Sequence, residues 1–201
     1  MSHKHTFIPS DKEGYEICTE CGSYHSIAQV PPDEIYHNYW GDGTGRSTLE
    51  QQVSNMAVND DCGISKIQRV LQFVPKRGKN FLEIGCCPGE LLREMLDRNY
   101  DVYGVEPSQN YIPFIINHAK GAKVVCGYFP VATKDCDDNS FDCIAALDTM
   151  EHIEDYQGFF NEIHRLLIPN GTAIIMSPII LNRDGLIKKT DFLPAEHCYL
   201  F

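Results

Sequence analysis

No apolar run in this chain approaches the length needed to cross a bilayer, which argues against a membrane-spanning helix. The opening residues, MSHKHTFIPSDKEGYE, lack the apolar middle of a secretory signal, so a cytoplasmic location is the expectation. Basic residues are scarce, 17 against 28 acids, and the net charge is −11. Such a surface repels phosphate backbones, and the basic clusters KRGK (76–79) and KK (188–189) are too short to build a nucleic-acid groove. Small or uncharged substrates are favoured over DNA or RNA. Internal repeats and low-complexity segments are also lacking. Nine cysteines are present, but their number is odd, they are scattered, and no export signal accompanies them. Reduced thiols fit better than a disulfide framework. Cys62, Cys126, Cys143 and Cys198 read as small core or near-core residues.

What is present suits one globular domain with a small appendage: 201 residues, 43% hydrophobic and 22% charged. Residues 1–45 are rich in Pro, His, Gly and Tyr, show little helical periodicity, and read as a small N-terminal module with a connecting loop. Residues 46–201 form the main domain. From Ser47 to Val74 the spacing of Ile64, Ile67, Val70, Leu71 and Val74 predicts helix, split near Gly63. PKRGK then breaks the pattern.

Strand and helix signals alternate from there. NFLEI (80–84), DVYGVE (101–106), AKVVC (122–126), FDCIAAL (141–147) and TAIIMS (172–177) predict strands. Glu90–Asn99 predicts a helix, Ser108 caps another running to about Ala119, and Asp155–Leu167 predicts a third, stopped by PNG at 169–171. The alternation implies an α/β fold with a parallel, doubly wound, Rossmann-like sheet covered on both faces.

Ligands of such sheets bind at the carboxyl ends of the strands. The turn after the first strand of this sheet is Gly85-Cys86-Cys87-Pro88-Gly89. Gly85 lets the chain leave the strand sharply, Gly89 permits close approach, and the N–H groups of the following helix favour an anionic group. Glu106 ends the second strand, 17 residues after Gly89, where it can accept bonds from ribose hydroxyls. A lone Gly-x-x-x-Gly turn is a weak signal. With a strand before it, a helix after it and Glu106 in place, it becomes a strong one.

FLEIGCCPGELL, VYGVEPS, SFDCIAALDTMEHIED and HRLLIPNGTAIIMSP resemble, in order, the motifs of class I S-adenosylmethionine-dependent methyltransferases over about residues 80–178. Cys87 stands where the family's first motif has its middle glycine. The resemblance implies S-adenosylmethionine as cofactor and S-adenosylhomocysteine as product. It sets the cofactor's carboxylate and amino group against the turn Glu83, Gly85, Cys86, Cys87 and Gly89, and the ribose on Glu106. Pro107 and Ser108 would flank the adenosine, Tyr128 and Phe129 the adenine, and Leu147 and Asp148 the methionine side. Tyr39, with Tyr36 and Trp40, would close over the cofactor, or else pack between module and domain. Relatives usually continue with a further helix and two strands after the fifth strand. Their absence here predicts a shortened sheet whose uncovered edge could pair with a second copy.

Methyl transfer requires mainly alignment of the nucleophile and exclusion of water, with a base near neutral pKa for oxygen or nitrogen acceptors. His152 is the expected base and Glu151 its orienting partner, against the plainer reading that both only shape the loop. His197 in the tail AEHCYLF is a second candidate. The expected reaction is methylation of a small molecule, a sugar or other metabolite. A cofactor-binding module without turnover is the alternative, and an RNA or protein methyltransferase is disfavoured by the charge.

Cys18-Thr19-Glu20-Cys21-Gly22 has the spacing of a metal knuckle. With His5 and His25 it forms a candidate zinc set, against a redox pair or unliganded thiols. Cys86 and Cys87, adjacent in a tight turn, cannot readily chelate one ion and read as filling residues.

Overall fold

The computed structural model describes residues 6–11, 14–27, 53–54, 65–177 and 199–200. The described part of the N-terminal module is an antiparallel sheet. Its strands are β1 (Phe7–Pro9), β2 (Tyr15–Cys18) and β3 (Tyr24–Ser26), and Tyr15 and Tyr24 meet edge to face at 6.5 Å to form its small core. The main domain contributes helix α1 (Lys66–Leu71), then β4 (Asn80–Ile84), α2 (Glu90–Asp97), β5 (Asp101–Glu106), α3 (Ile112–His118), β6 (Lys123–Cys126), β7 (Phe141–Leu147), α4 (Tyr156–Leu166) and β8 (Leu167–Met176). Its five strands are parallel in the order β6-β5-β4-β7-β8, so strand order reverses beside β4. This is the expected doubly wound sheet.

Alternation along the central strands divides the core into two faces. Phe81 of β4 packs with Leu91, Leu92 and Met95 of α2 and Ile115 of α3, while Leu82 and Ile84 pack with Phe159, Ile163 and Leu166 of α4. β7 lies between two strands and is buried almost throughout, as a strand covered on both faces must be. Asp155 caps α4 by accepting the Gly158 N–H at 2.8 Å. A reciprocal capping box between Ser65 and Gln68 starts α1. Of the expected helical stretch before Ser65, only 53–54 lies within the described residues.

Two boundaries differ from expectation. Ser108 does not cap α3: its carbonyl accepts the Tyr111 N–H at 3.1 Å and its own N–H is drawn to Glu106, so the helix starts at Ile112 after a turn. β8 begins at Leu167 because PNG is absorbed as an irregularity rather than ending one element before the next. Phe141 pairs with Leu167, yet Cys143 pairs with Thr172, and Asn170 takes a left-handed φ of 65°.

The last described segment is β9 (Tyr199–Leu200). It lies in the tail AEHCYLF, which follows the parallel sheet in the chain. These two residues pair antiparallel with β3 as the fourth strand of the N-terminal sheet, beside the turn at Met150–His152.

Candidate functional site

The carboxyl ends of β4, β5 and β7 bring most of the sequence-predicted residues together. Gly85 leaves β4 with φ 72°, and both its N–H and that of Cys86 bond the Val105 carbonyl, at 2.8 and 3.1 Å. A Cβ at Gly85 would overlap the Thr149 hydroxyl, which is itself held by the carbonyls of Ile84 and Leu147. Gly89 opens α2 with φ 93° and no side-chain cap, and a Cβ there would press on Ile115 at 3.2 Å. Both glycines are thus required by conformation and by space.

Two carboxylates converge on this turn. Glu106 is 4% exposed; its oxygens accept the Cys87 N–H at 3.2 Å and the Ser108 N–H at 2.9 Å. Burial pushes its pKa up to about 7, against the lowering effect of those two bonds. Glu83 is 2% exposed, and burial first, then the nearby Glu106, pushes it well above the usual carboxylate range; the Leu92 N–H opposes this. Among the described residues its buried Oε2 has no hydrogen-bond partner, and neither has the buried Ser108 hydroxyl. Native interiors rarely leave such atoms unpaired, so a donor or acceptor from a ligand is the natural complement. The turn therefore has the character of a cradle for a polar ligand with an amine and hydroxyls.

Cys86 is fully buried with its Sγ against Gly104, where an added Cβ would come within 2.7 Å. Burial raises both the Cys86 and Cys87 thiols, with Glu83 and Glu106 adding to the effect.

Beyond β7, Asp148 takes a left-handed φ of 47° and donates its N–H to the Met176 carbonyl at 2.7 Å. Its carboxylate forms an ion pair with Lys66 of α1, a contact that no sequence signal announced. Glu151 is 1% exposed and accepts the Ser177 hydroxyl at 2.9 Å. Burial raises its pKa and the adjacent His152 opposes the rise. Glu151 thus bonds Ser177 and interacts electrostatically with His152.

Phe129 is 6% exposed and packs edge to face on Phe159 at 5.4 Å, in the core beneath α4. Apolar character alone could not separate it from its neighbour Tyr128, which is exposed. His5, Tyr36, Tyr39, Trp40 and His197 lie outside the described residues. In the knuckle, Cys18 is buried and Cys21 exposed, the Gly22 N–H bonds the Cys18 carbonyl at 3.0 Å, and His25 Nδ1 lies 3.0 Å from Glu16. Among the described residues, no three His, Cys, Asp or Glu side chains form a group that could hold a metal ion. Nor is any described helix long and apolar enough to cross a membrane.

Comparison with known proteins points to one family. A family profile described as a methyltransferase domain matches residues 82–175. Phosphoethanolamine N-methyltransferase of Triticum aestivum is 37% identical over 105 residues, half of this chain but only 20% of the wheat protein's length. Ubiquinone biosynthesis O-methyltransferase of Bradyrhizobium diazoefficiens is 30% identical over 180 residues, 88% of this chain and 70% of the relative. Among solved structures, a methyltransferase from Archaeoglobus fulgidus shares the fold with a TM-score of 0.53 at 18% identity, covering 69% of this chain and 57% of that one.

Proposed function

The chain belongs to the class I S-adenosylmethionine-dependent methyltransferases, and we propose that it methylates a small-molecule acceptor, a sugar or other metabolite. The observation that carries the proposal is the coincidence of two buried polar atoms without a partner among the described residues, Glu83 Oε2 and Ser108 Oγ, with a turn whose glycines leave no room for side chains. When bound, S-adenosylmethionine supplies an electrophilic methyl on a sulfonium that becomes a neutral thioether on transfer.

Glu83 would receive the amino group, and the turn through Gly85, Cys86, Cys87 and Gly89 would hold the amino-acid end. Glu106 accepts one backbone N–H on each carboxylate oxygen, which leaves a lone pair on each for a ribose hydroxyl. Pro107 and Ser108 would flank the adenosine, with the exposed Tyr128 ring at its edge. Leu147 and Asp148 would line the methionine side. His152, on the turn after β7, would take the acceptor's proton, and the buried Glu151 would hold that turn through Ser177.

The acceptor class draws support from the relatives, whose names specify a phosphoethanolamine nitrogen and an oxygen in ubiquinone biosynthesis, and from the acidic net charge of −11. The test is formation of S-adenosylhomocysteine with a panel of small amines and hydroxyl compounds. Turnover with one class identifies the acceptor atom. Tight cofactor binding with no turnover on any panel member would favour a binding module instead.

A further inference from the structure

Lys66 occupies an unexpected place for a lysine. It is the first residue of α1, where the helix dipole disfavours a cation. Its ion pair with Asp148, with side chains 31% and 44% exposed, is of the kind that contributes little to stability. Neither helix formation nor folding energy explains its position. Its partner does. The Asp148 backbone is fixed at the end of β7 by its bond to Met176, whether or not the side chain is paired, and the next residue, Thr149, lies directly over Gly85. Lys66 thus adds a positive charge beside Asp148, next to the turn on which the buried carboxylates Glu83 and Glu106 converge.

The reading of the site as a methyl-transfer centre gives that charge a consequence. A sulfonium carries a positive charge that fades as the methyl leaves. A bare carboxylate beside it would stabilise the ground state more than the transition state, and so slow the chemistry. Neutralising the carboxylate removes that penalty and weakens binding of the charged cofactor relative to the uncharged product.

We propose that Lys66 is a positioning residue of the transfer site: by occupying Asp148 it keeps that carboxylate from holding the sulfonium in the ground state, and so sets the balance between S-adenosylmethionine and S-adenosylhomocysteine binding. The two ligands differ in this region by one methyl and one charge, so their affinity ratio reports the field that Lys66 creates and cancels differences in packing.

The experiment is calorimetric titration of both compounds into the wild-type protein, Lys66→Met and Lys66→Arg at low and at high salt, with unfolding midpoints measured alongside. Lys66→Met should tighten S-adenosylmethionine by about fivefold at low salt, leave S-adenosylhomocysteine nearly unchanged, and lose much of the difference at high salt. Lys66→Arg should restore the wild-type ratio. Equal weakening of both ligands by Lys66→Met would show that Lys66 is only a structural tie, and an unchanged ratio would show an inert surface pair; either overturns the proposal. Failure of the wild-type protein to bind either compound would instead strike at the methyltransferase reading beneath it.

Discussion

The Glu106 carboxylate accepts the backbone N–H of Cys87 at 3.2 Å, linking the end of β5 to the turn that follows β4. With its second oxygen it accepts the Ser108 N–H. One buried side chain thereby fixes the relative positions of the two loops on which the proposed cofactor site depends. The glycines shape the turn, and Glu106 ties it to its neighbour.

This burial has a pH signature. The Glu106 pKa is pushed up to about 7 from the ordinary 4.5, mainly by burial. Between those values the folded protein keeps a proton that the unfolded chain has released. The stabilisation is therefore complete below pH 4.5, declines as pH rises, and is lost above 7; its size is about 3 kcal/mol. Urea unfolding at pH 5 and pH 7.5 should show this fall in the cofactor-free protein, and Glu106→Gln should lack that part of it. An equal fall in both proteins would place the titration elsewhere. Ribose hydroxyls favour the charged carboxylate, so cofactor affinity should rise with pH toward 7 and then level off.

Gly85→Ala imposes a side chain on a left-handed residue and drives it into the Thr149 hydroxyl. The expected cost is about 2 kcal/mol in denaturant unfolding, accompanied by weaker cofactor binding. A variant of wild-type stability and affinity would show that the turn is far more adaptable than its contacts suggest.

Cys86 and Gly104 should behave as a coupled pair. A Cβ at Gly104 would meet Cys86 Sγ at 2.7 Å and Leu92 Cδ1 at 3.0 Å. Gly104→Ala alone overpacks the site and should cost about 1–3 kcal/mol, and Cys86→Ala alone leaves a small cavity. The double variant should recover part of the sum, with a coupling of about 1 kcal/mol in a double-mutant cycle. Strict additivity would contradict the contact.

The alternation of short apolar strands with amphipathic helices makes the parallel sheet legible, and the boundaries of β4, β5 and β7 match the expected ones to the residue. Gly85, Gly89 and Glu106 stand out because backbone geometry and strand-end position demand those residue types. An aromatic after a strand suits a ligand or a core equally well, and the packing of Phe129 on Phe159 is not legible from its position in the chain. Ser108 has the right type for a helix cap, but Glu106 claims its N–H and shifts the helix start. The Lys66–Asp148 pair is a contact over 82 residues between two helix or strand ends, for which local patterning carries no signal. The pairing of β9 with β3 is likewise long-range and followed no motif.

The central claim is that Glu83, the glycine turn and Glu106 form an S-adenosylmethionine site. Calorimetric titration of S-adenosylmethionine and S-adenosylhomocysteine into wild-type protein and Glu106→Ala addresses it most directly. Wild-type protein should bind both compounds, and Glu106→Ala, still folded, should bind each about tenfold or more weakly, through loss of charge-assisted ribose bonds. Wild-type protein that binds neither compound, or Glu106→Ala that binds as tightly as wild type, would contradict it.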